Sequence, residues 1–219
     1  MNKNLKESVL CALIILPYIY LATIWNKLPD QVPMHFNLAG NVDRWSAKTT
    51  LLFLPGILGI GMYFLMLLIP VLDPKRKIQQ MGGKYYNFRF MLTFFFSLFA
   101  TYLLFISKTG SLKSPNMLVA LIGALFAIFG NYFQTVRPNY FIGIRTPWTL
   151  ENEEVWKKTH RMGGRLWMAG GMMIVILSFV ISSNLALAVT FGVLLSVMVI
   201  VPVVFSYAEF QKEKAKIRQ

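Results

Sequence analysis

Acidic residues are scarce in this chain, since 9 Asp and Glu stand against 22 Lys and Arg, and only 14% of all residues are charged. A soluble domain usually has about a quarter of its residues charged. Hydrophobic residues make up 56% of the chain, and the mean hydropathy is +0.54. The shortage of charge excludes an ordinary soluble domain and indicates a membrane protein.

Cysteine and histidine are also rare. The one cysteine, Cys11, lies in an apolar run, so it offers no disulfide framework, and we expect it to pack as a small apolar side chain. The two histidines, His35 and His160, are predicted on opposite sides of the membrane and cannot share a metal ion. The motifs HExxH and GxSxG and the phosphate-binding P-loop are missing. We therefore predict no metal, no cofactor and no enzymatic activity.

Six apolar stretches are long enough to cross a hydrocarbon core about 30 Å thick. They are residues 9–25, 51–72, 90–106, 117–136, 166–183 and 185–207. The first follows Lys3 and Lys6 but lacks a small-residue cleavage site, so we interpret it as an uncleaved anchor. The last two runs are joined by almost nothing, since the only polar residues at their junction are Ser182, Ser183 and Asn184. The predicted fold is all-α, a polytopic protein with about six transmembrane helices in contact with the lipid bilayer.

The basic residues predict the orientation of these spans. Seventeen of them lie in the N-terminus, the 73–89 and 137–165 loops and the C-terminal tail, and five lie in the 26–50 and 107–116 loops. Because basic residues are retained on the cytoplasmic side, both termini are predicted to be cytoplasmic. The net charge of +13 is therefore explained by basic residues that orient the spans in the membrane. We expect no direct nucleic-acid binding.

No acidic residue lies in the middle of a predicted span, which argues against an ion-coupled carrier. The main polar feature within the membrane is the pair Asn131 and Gln134, which would share one face of the fourth helix. Two interpretations of the pair are open, an interhelical hydrogen bond and a ligand site. A small-solute permease or pore, lined by this pair and by Thr and Ser of spans three to six, is the main alternative function.

Residues 139–161 form a polar segment in the predicted cytoplasmic loop between spans four and five. Thr149 is a candidate helix N-cap, with acids in the following turns and bases later, as the helix dipole favours. The pattern predicts an amphipathic helix with the ion pairs Glu153–Lys157 and Glu154–Lys158. This helix either packs against the transmembrane helices and orients them or forms a docking surface for a cytoplasmic partner.

The outer loop, residues 28–48, is interrupted by proline and carries few charges. We expect Phe36 and Trp45 to be exposed there, either in a loop that caps spans one and two or in contact with a peptide or lipid headgroups. We interpret His35 as a structural hydrogen-bonding residue rather than a metal ligand or pH sensor.

The cytoplasmic segment carries Gly130-Asn131, Arg137-Pro138-Asn139, Gly143-Ile144-Arg145-Thr146-Pro147-Trp148-Thr149-Leu150, Val155-Trp156 and Thr159-His160-Arg161. The order of these rare residues resembles the signature of the SdpI family of bacterial membrane immunity proteins. The outer loop is similar to the uncharacterised domain that often precedes that signature, through Pro29, Pro33, His35, Phe36, Asn37, Gly40, Asp43, Trp45 and Lys48.

This resemblance implies a multi-pass location in the bacterial inner membrane, immunity to a secreted toxin peptide and, in some systems, recruitment of a cytoplasmic repressor. It implies a two-span region over residues 1–72 and a four-span region over 73–219. The implied toxin-facing residues are Pro33, His35, Phe36, Asn37, Gly40, Asp43 and Trp45. The implied cytoplasmic motif is Asn139, Gly143, Arg145, Thr146, Pro147, Trp148, Trp156, His160 and Arg161, with residues 149–165 and the 73–89 loop as docking surfaces. A membrane scaffold of unassigned role is the remaining alternative.

Overall fold

Long helices form most of the chain in the computed structural model, which describes residues 3–37, 41–74, 76–109 and 115–217. The helices are α1 (Lys3–Ile24), α2 (Met62–Leu72), α3 (Gly83–Thr109), α4 (Pro115–Phe133), α5 (Pro147–Glu151), α6 (Glu153–Val180) and α7 (Asn184–Ile217). Within the described residues, six helical segments are long and apolar enough to span a membrane. The predicted all-α polytopic fold is confirmed.

The helices of the last two spans are longer than their apolar runs. Helix α6 has 28 residues and α7 has 34, so they measure about 42 and 51 Å, against a hydrocarbon core of about 30 Å. The three residues 181–183 separate them, which confirms the predicted tight turn. Residues 153–165 of α6 and 208–217 of α7 therefore continue past the apolar runs at the same end, and we call them the projecting ends.

The helix predicted over residues 149–165 is present from Glu153 onward, but Thr149 is not its N-cap and it is not separate from span five. Thr149 lies inside the short helix α5, and Asn152 is the N-cap of α6, accepting hydrogen bonds from the backbone N–H groups of Glu154 and Val155. From there α6 runs without interruption into the apolar span. Because residues 153–180 contain no proline, nothing in the local sequence ends the helix at the membrane surface.

The chain divides into two compact units, Met1–Leu68 with Tyr85–Pro115, and Ile69–Lys84 with Asn116–Gln219. In the first unit, an antiparallel hairpin of β1 (Gln31–Phe36) and β2 (Val42–Ala47) follows α1. Its Val32 is fully buried in an apolar cluster with Leu21, Ile24, Leu28, Leu51 and Leu104. The sequence pattern predicted only a turn here, because Pro33 lies within β1 and neither strand has a regular alternation of buried and exposed residues.

The first unit also contains a buried ion pair between Arg89 of α3 and Glu7 of α1. The Tyr63 hydroxyl donates to the other oxygen of the Glu7 carboxylate at 3.0 Å, and the Arg89 guanidinium lies over the Tyr63 and Tyr86 rings. Both charges were expected outside the spans, but α1 and α3 begin early enough to include them. Pairing offsets the cost of placing these charges among apolar helices.

In the second unit, α4 and α6 cross with their backbones in contact. A Cβ added at Gly130 would lie 2.2 Å from the Met168 nitrogen, and one at Gly171 would lie 2.4 Å from the Ala127 nitrogen. Gly123 approaches Gly171 in the same way. Small residues permit such close approach where no hydrophobic effect drives helix association. Gly123, Ala127 and Gly130 therefore form the face of α4 on which α6 packs closely.

Candidate functional site

The motif loop, residues 134–152, is organised around the buried side chain of Asn139. The Asn139 carboxamide oxygen accepts hydrogen bonds from the N–H groups of Phe141 and Ile142 at 2.8 and 2.7 Å. Its nitrogen donates to the carbonyl oxygens of Arg137 and Ile142 at 2.7 and 3.1 Å. One side chain thus satisfies backbone groups that no helix or strand supplies with partners.

Gly143 brings the loop against His160 of α6. Its φ is +113°, and a Cβ at this position would lie 2.3 Å from the His160 Nε2 atom. The N–H of the next residue, Ile144, donates to that nitrogen at 2.9 Å. Both the backbone conformation and the close contact therefore require glycine at this position.

His160 is a neutral linker between the motif loop and α6. Its Nδ1 lies 2.9 Å from the carbonyl oxygen of Trp156, which can only accept, while Nε2 accepts from Ile144. The proton must therefore lie on Nδ1. The ring stacks on the Trp156 indole at 3.9 Å between centroids, and the Trp156 Nε1 donates to the carbonyl oxygen of Val136 at 2.9 Å. The two side chains hold the start and the middle of the motif loop against α6.

Thr146 starts α5 and connects it to α7. Its hydroxyl accepts from the N–H of Thr149 at 3.2 Å, and the Thr149 hydroxyl accepts from the N–H of Thr146 at 2.9 Å, which forms a reciprocal capping box. The Thr146 hydroxyl also lies 3.0 Å from the hydroxyl of Ser206. Pro147 follows at the first helical position, where its missing N–H costs nothing.

We expect Thr146→Val to lower the free energy of unfolding by about 2 kcal/mol, since it removes an N-cap and a buried hydroxyl pair. Unfolding of the purified protein in mixed detergent micelles measures this. Ser206→Ala completes a double-mutant cycle, in which we expect a coupling of about 1 kcal/mol. Thr135→Val, which removes only a local bond to the carbonyl of Tyr132, is the matched control. Strictly additive effects of Thr146→Val and Ser206→Ala would contradict the assigned link.

The remaining motif residues lie on the outside of this framework. Trp148 is half-buried and packs on the Tyr207 ring of α7 at 5.0 Å between centroids. Arg145 is exposed and its guanidinium donates to the carbonyl oxygen of Tyr140. Arg161 is exposed on α6, away from the motif loop bonds. The structure therefore brings together eight of the nine predicted cytoplasmic residues, through contacts that hold the loop.

The projecting ends are joined by an ionic network that sequence reasoning missed. Lys158 of α6 contacts Glu209 at 3.0 Å and Glu213 at 2.9 Å on α7, and these acids also contact Lys212 and Lys216 at 2.7 and 3.0 Å. Glu209 is 6% exposed, so its charge requires these partners. The i, i+3 spacing of acids and bases in the C-terminal tail was the available signal that this tail is helical.

Both predicted ion pairs within residues 149–165 are wrong. Glu154 pairs with Lys157 at 2.7 Å, at a spacing of three residues, and not with Lys158, four residues away. Lys158 pairs instead with Glu209 of α7. Glu153 lies 3.9 Å from Lys77 of the 73–84 segment, whose Gln80 accepts from Arg137 at 3.0 Å. Partners from other segments outcompete the neighbour on the same exposed helix face, because i, i+4 pairs contribute only a few tenths of a kcal/mol.

The outer residues predicted to face a toxin lie on or beside the hairpin. His35 Nδ1 is 2.6 Å from the Asp43 carboxylate across the strands, which is the hydrogen-bonding role we expected. Trp45 is 53% exposed and pairs with the buried Pro33, whereas Phe36 is half-buried rather than exposed. Asn37 follows β1 and its side chain accepts from the N–H of Asn41. Gly40 lies outside the described residues.

The intramembrane polar pair, Asn131 and Gln134, lies at the end of α4. Asn131 is exposed in the last turn of that helix, and Gln134 is exposed directly after it. Within the described ranges, neither side chain has a hydrogen-bond partner. Helix α4 ends earlier than the predicted span because the chain turns at residues 134–135 to enter the motif loop.

The fold defines a multi-pass membrane protein. Comparison with known protein families finds a match for each of the two segments that contain the outer hairpin and the motif loop. Residues 135–207 match the profile of the SdpI/YfhL protein family, and residues 12–59 match the Domain of unknown function (DUF1648). The chain is 26% identical over 200 residues to the Immunity protein SdpI of Bacillus subtilis (strain 168), covering 91% of this chain and 92% of that protein. No solved structure matches it. The predicted resemblance to the SdpI family is confirmed, and the six membrane-spanning helices agree with the predicted multi-pass location in the inner membrane.

Proposed function

We propose that this chain is a membrane immunity protein that protects a bacterium against a secreted toxin peptide. The observation that carries this proposal is the similarity to the Immunity protein SdpI across 91% of the chain. The similarity includes both the outer hairpin and the motif loop, so it is not limited to hydropathy.

The outer hairpin is the surface that we assign to the toxin. Met34 and Trp45 are 39% and 53% exposed, and they provide an apolar side chain on each strand. Among the described residues the sheet has only two strands, so both outer edges offer backbone groups to an extended peptide. The burial of Val32, and the contacts of Lys48 with the carbonyl and carboxylate of Asp30, hold the hairpin rigidly for this role.

Survival of a toxin-sensitive bacterium that expresses the chain tests the proposal. We expect the wild type to protect against a family-type killing peptide, and Met34→Ser/Trp45→Ser to lower the tolerated toxin concentration roughly tenfold or more, as loss of an aromatic anchor does. Thr49→Ala, an exposed change just beyond the hairpin, is the control and should leave tolerance unchanged.

Equal membrane levels of the variants must accompany this comparison. Protection by the hairpin variant at the wild-type level would move the toxin contact away from the hairpin. Failure of the wild type against every family-type peptide would overturn the immunity proposal and make solute flux in liposomes the next measurement.

The exposed charges beside the motif loop are our proposed contact for a cytoplasmic repressor. Glu153 and Lys157 are both exposed and lie next to the anchored motif loop, so a partner would meet a rigid charged surface. We expect Glu153→Lys/Lys157→Glu to abolish toxin-dependent recruitment of a fluorescently tagged repressor to the membrane while protection persists. Normal recruitment by this charge-reversed variant would exclude the surface.

A further inference from the structure

A groove of about 550 Å³ lies between α6 and α7 where their apolar runs meet the projecting ends. It is lined by Lys158, Arg161, Met162, Arg165, Leu166 and Phe205. The five α6 residues recur at intervals of three and four, so they form one stripe along the helix, and Phe205 closes the groove from α7. The groove combines a row of cations with an apolar floor.

Two of its three cations lack a partner. Lys158 is held by Glu209 and Glu213, so its charge is already balanced. Arg161 and Arg165 are exposed, and in the part of the chain that the structure describes neither guanidinium has a hydrogen-bond or ion-pair partner. They are one helical turn apart, so both can reach a single anionic group.

The groove lies at the boundary between the membrane and the cytoplasm. Arg165 immediately precedes the apolar run that continues to the end of α6, and Phe205 is near the end of the apolar run of α7. Two arginines at that depth place their guanidinium groups among lipid headgroups, while their alkyl parts lie along the apolar surface.

We propose that this groove binds an anionic phospholipid of the inner leaflet. Arg161 and Arg165 receive the phosphodiester, and one acyl chain lies on Met162, Leu166 and Phe205. The apolar floor distinguishes this occupant from free phosphate, which would gain nothing from it. Basic pockets between transmembrane helices on the cytoplasmic side have the chemistry that anionic headgroups require. The site is independent of any toxin, so it stands apart from the immunity proposal.

Native mass spectrometry of the purified full chain tests this inference. The protein is mixed with phosphatidylglycerol and phosphatidylcholine that carry identical acyl chains, and the retained lipids are measured. We expect selective retention of phosphatidylglycerol, and about a fivefold loss of that affinity for each guanidinium removed in Arg161→Gln and Arg165→Gln.

The matched control is Lys84→Gln/Lys214→Gln, which removes the same charge from two exposed positions outside the groove. Retention of phosphatidylglycerol by the control, and its loss by Arg161→Gln/Arg165→Gln at unchanged thermal stability, would establish the site. Equal retention of both lipids by the wild type, or undiminished retention by the arginine variant, would overturn it. Displacement of the lipid by inorganic phosphate in the millimolar range would also overturn it, and would assign the arginines to free phosphate.

Discussion

Gly130→Ala is expected to destabilise the second unit by about 3 kcal/mol. The new Cβ would lie 2.2 Å from the Met168 nitrogen and 2.6 Å from the Gly164 carbonyl oxygen, and backbone atoms of α6 cannot rotate out of its way. The helices must separate, and the dispersion contacts along their crossing weaken together. Unfolding of the purified protein in detergent micelles, with the amount of protein in the membrane as a second readout, measures the loss.

Gly192→Ala is the matched control for this substitution. Gly192 lies within α7 and a Cβ there would meet nothing within 4 Å, so the same chemical change tests helix propensity alone. We expect Gly192→Ala to leave stability unchanged or raise it by up to about 1 kcal/mol. Equal effects of the two substitutions would show that α4 and α6 do not cross in backbone contact at Gly130.

Gly143→Ala is expected to detach the motif loop from α6. It forces an L side chain into a φ of +113° and places a Cβ 2.3 Å from the His160 Nε2, so the bond from the Ile144 N–H to that nitrogen breaks. Strain of this kind costs about 1–3 kcal/mol, and the lost buried hydrogen bond adds about 1 kcal/mol or more. Faster proteolysis within residues 134–152 and a lower unfolding temperature measure the change.

Two further variants separate the effect of backbone strain at Gly143 from that of its contact with His160. Gly83→Ala, where a Cβ meets nothing within 4 Å and the backbone has an ordinary φ, should have little effect. In a His160→Ala background the steric contact is absent, so Gly143→Ala should cost less there than in the wild type. An equal cost in both backgrounds would assign the whole effect to backbone strain and none to the contact with His160.

The structure changes how the motif residues are understood. Five motif residues make the contacts that fold the motif loop, and their hydrogen bonds go to the backbone and to neighbouring helices. They are Asn139, Gly143, Thr146, Trp156 and His160. The signature that carries the family resemblance is therefore largely an architectural one. The groups left for a partner are the exposed charges around it.

The six spans and the short turn before α7 could be predicted from the sequence. Each depends on a local property, which is the length of an apolar run or the absence of residues that break it. The orientation that the basic residues indicate stays a prediction. Even the close approach at Gly123 and Ala127 follows from residue size at helical spacing.

Only the tertiary structure decided which groups meet. Nothing in the sequence near Lys158 indicates that it pairs with Glu209 and Glu213, more than fifty residues later, rather than with Glu154. Likewise, the fit of Gly143 against His160 depends on the direction in which the loop returns to α6. Competing partners differ by a few tenths of a kcal/mol in local preference, so the packing of whole helices, which involves many contacts at once, selects among them.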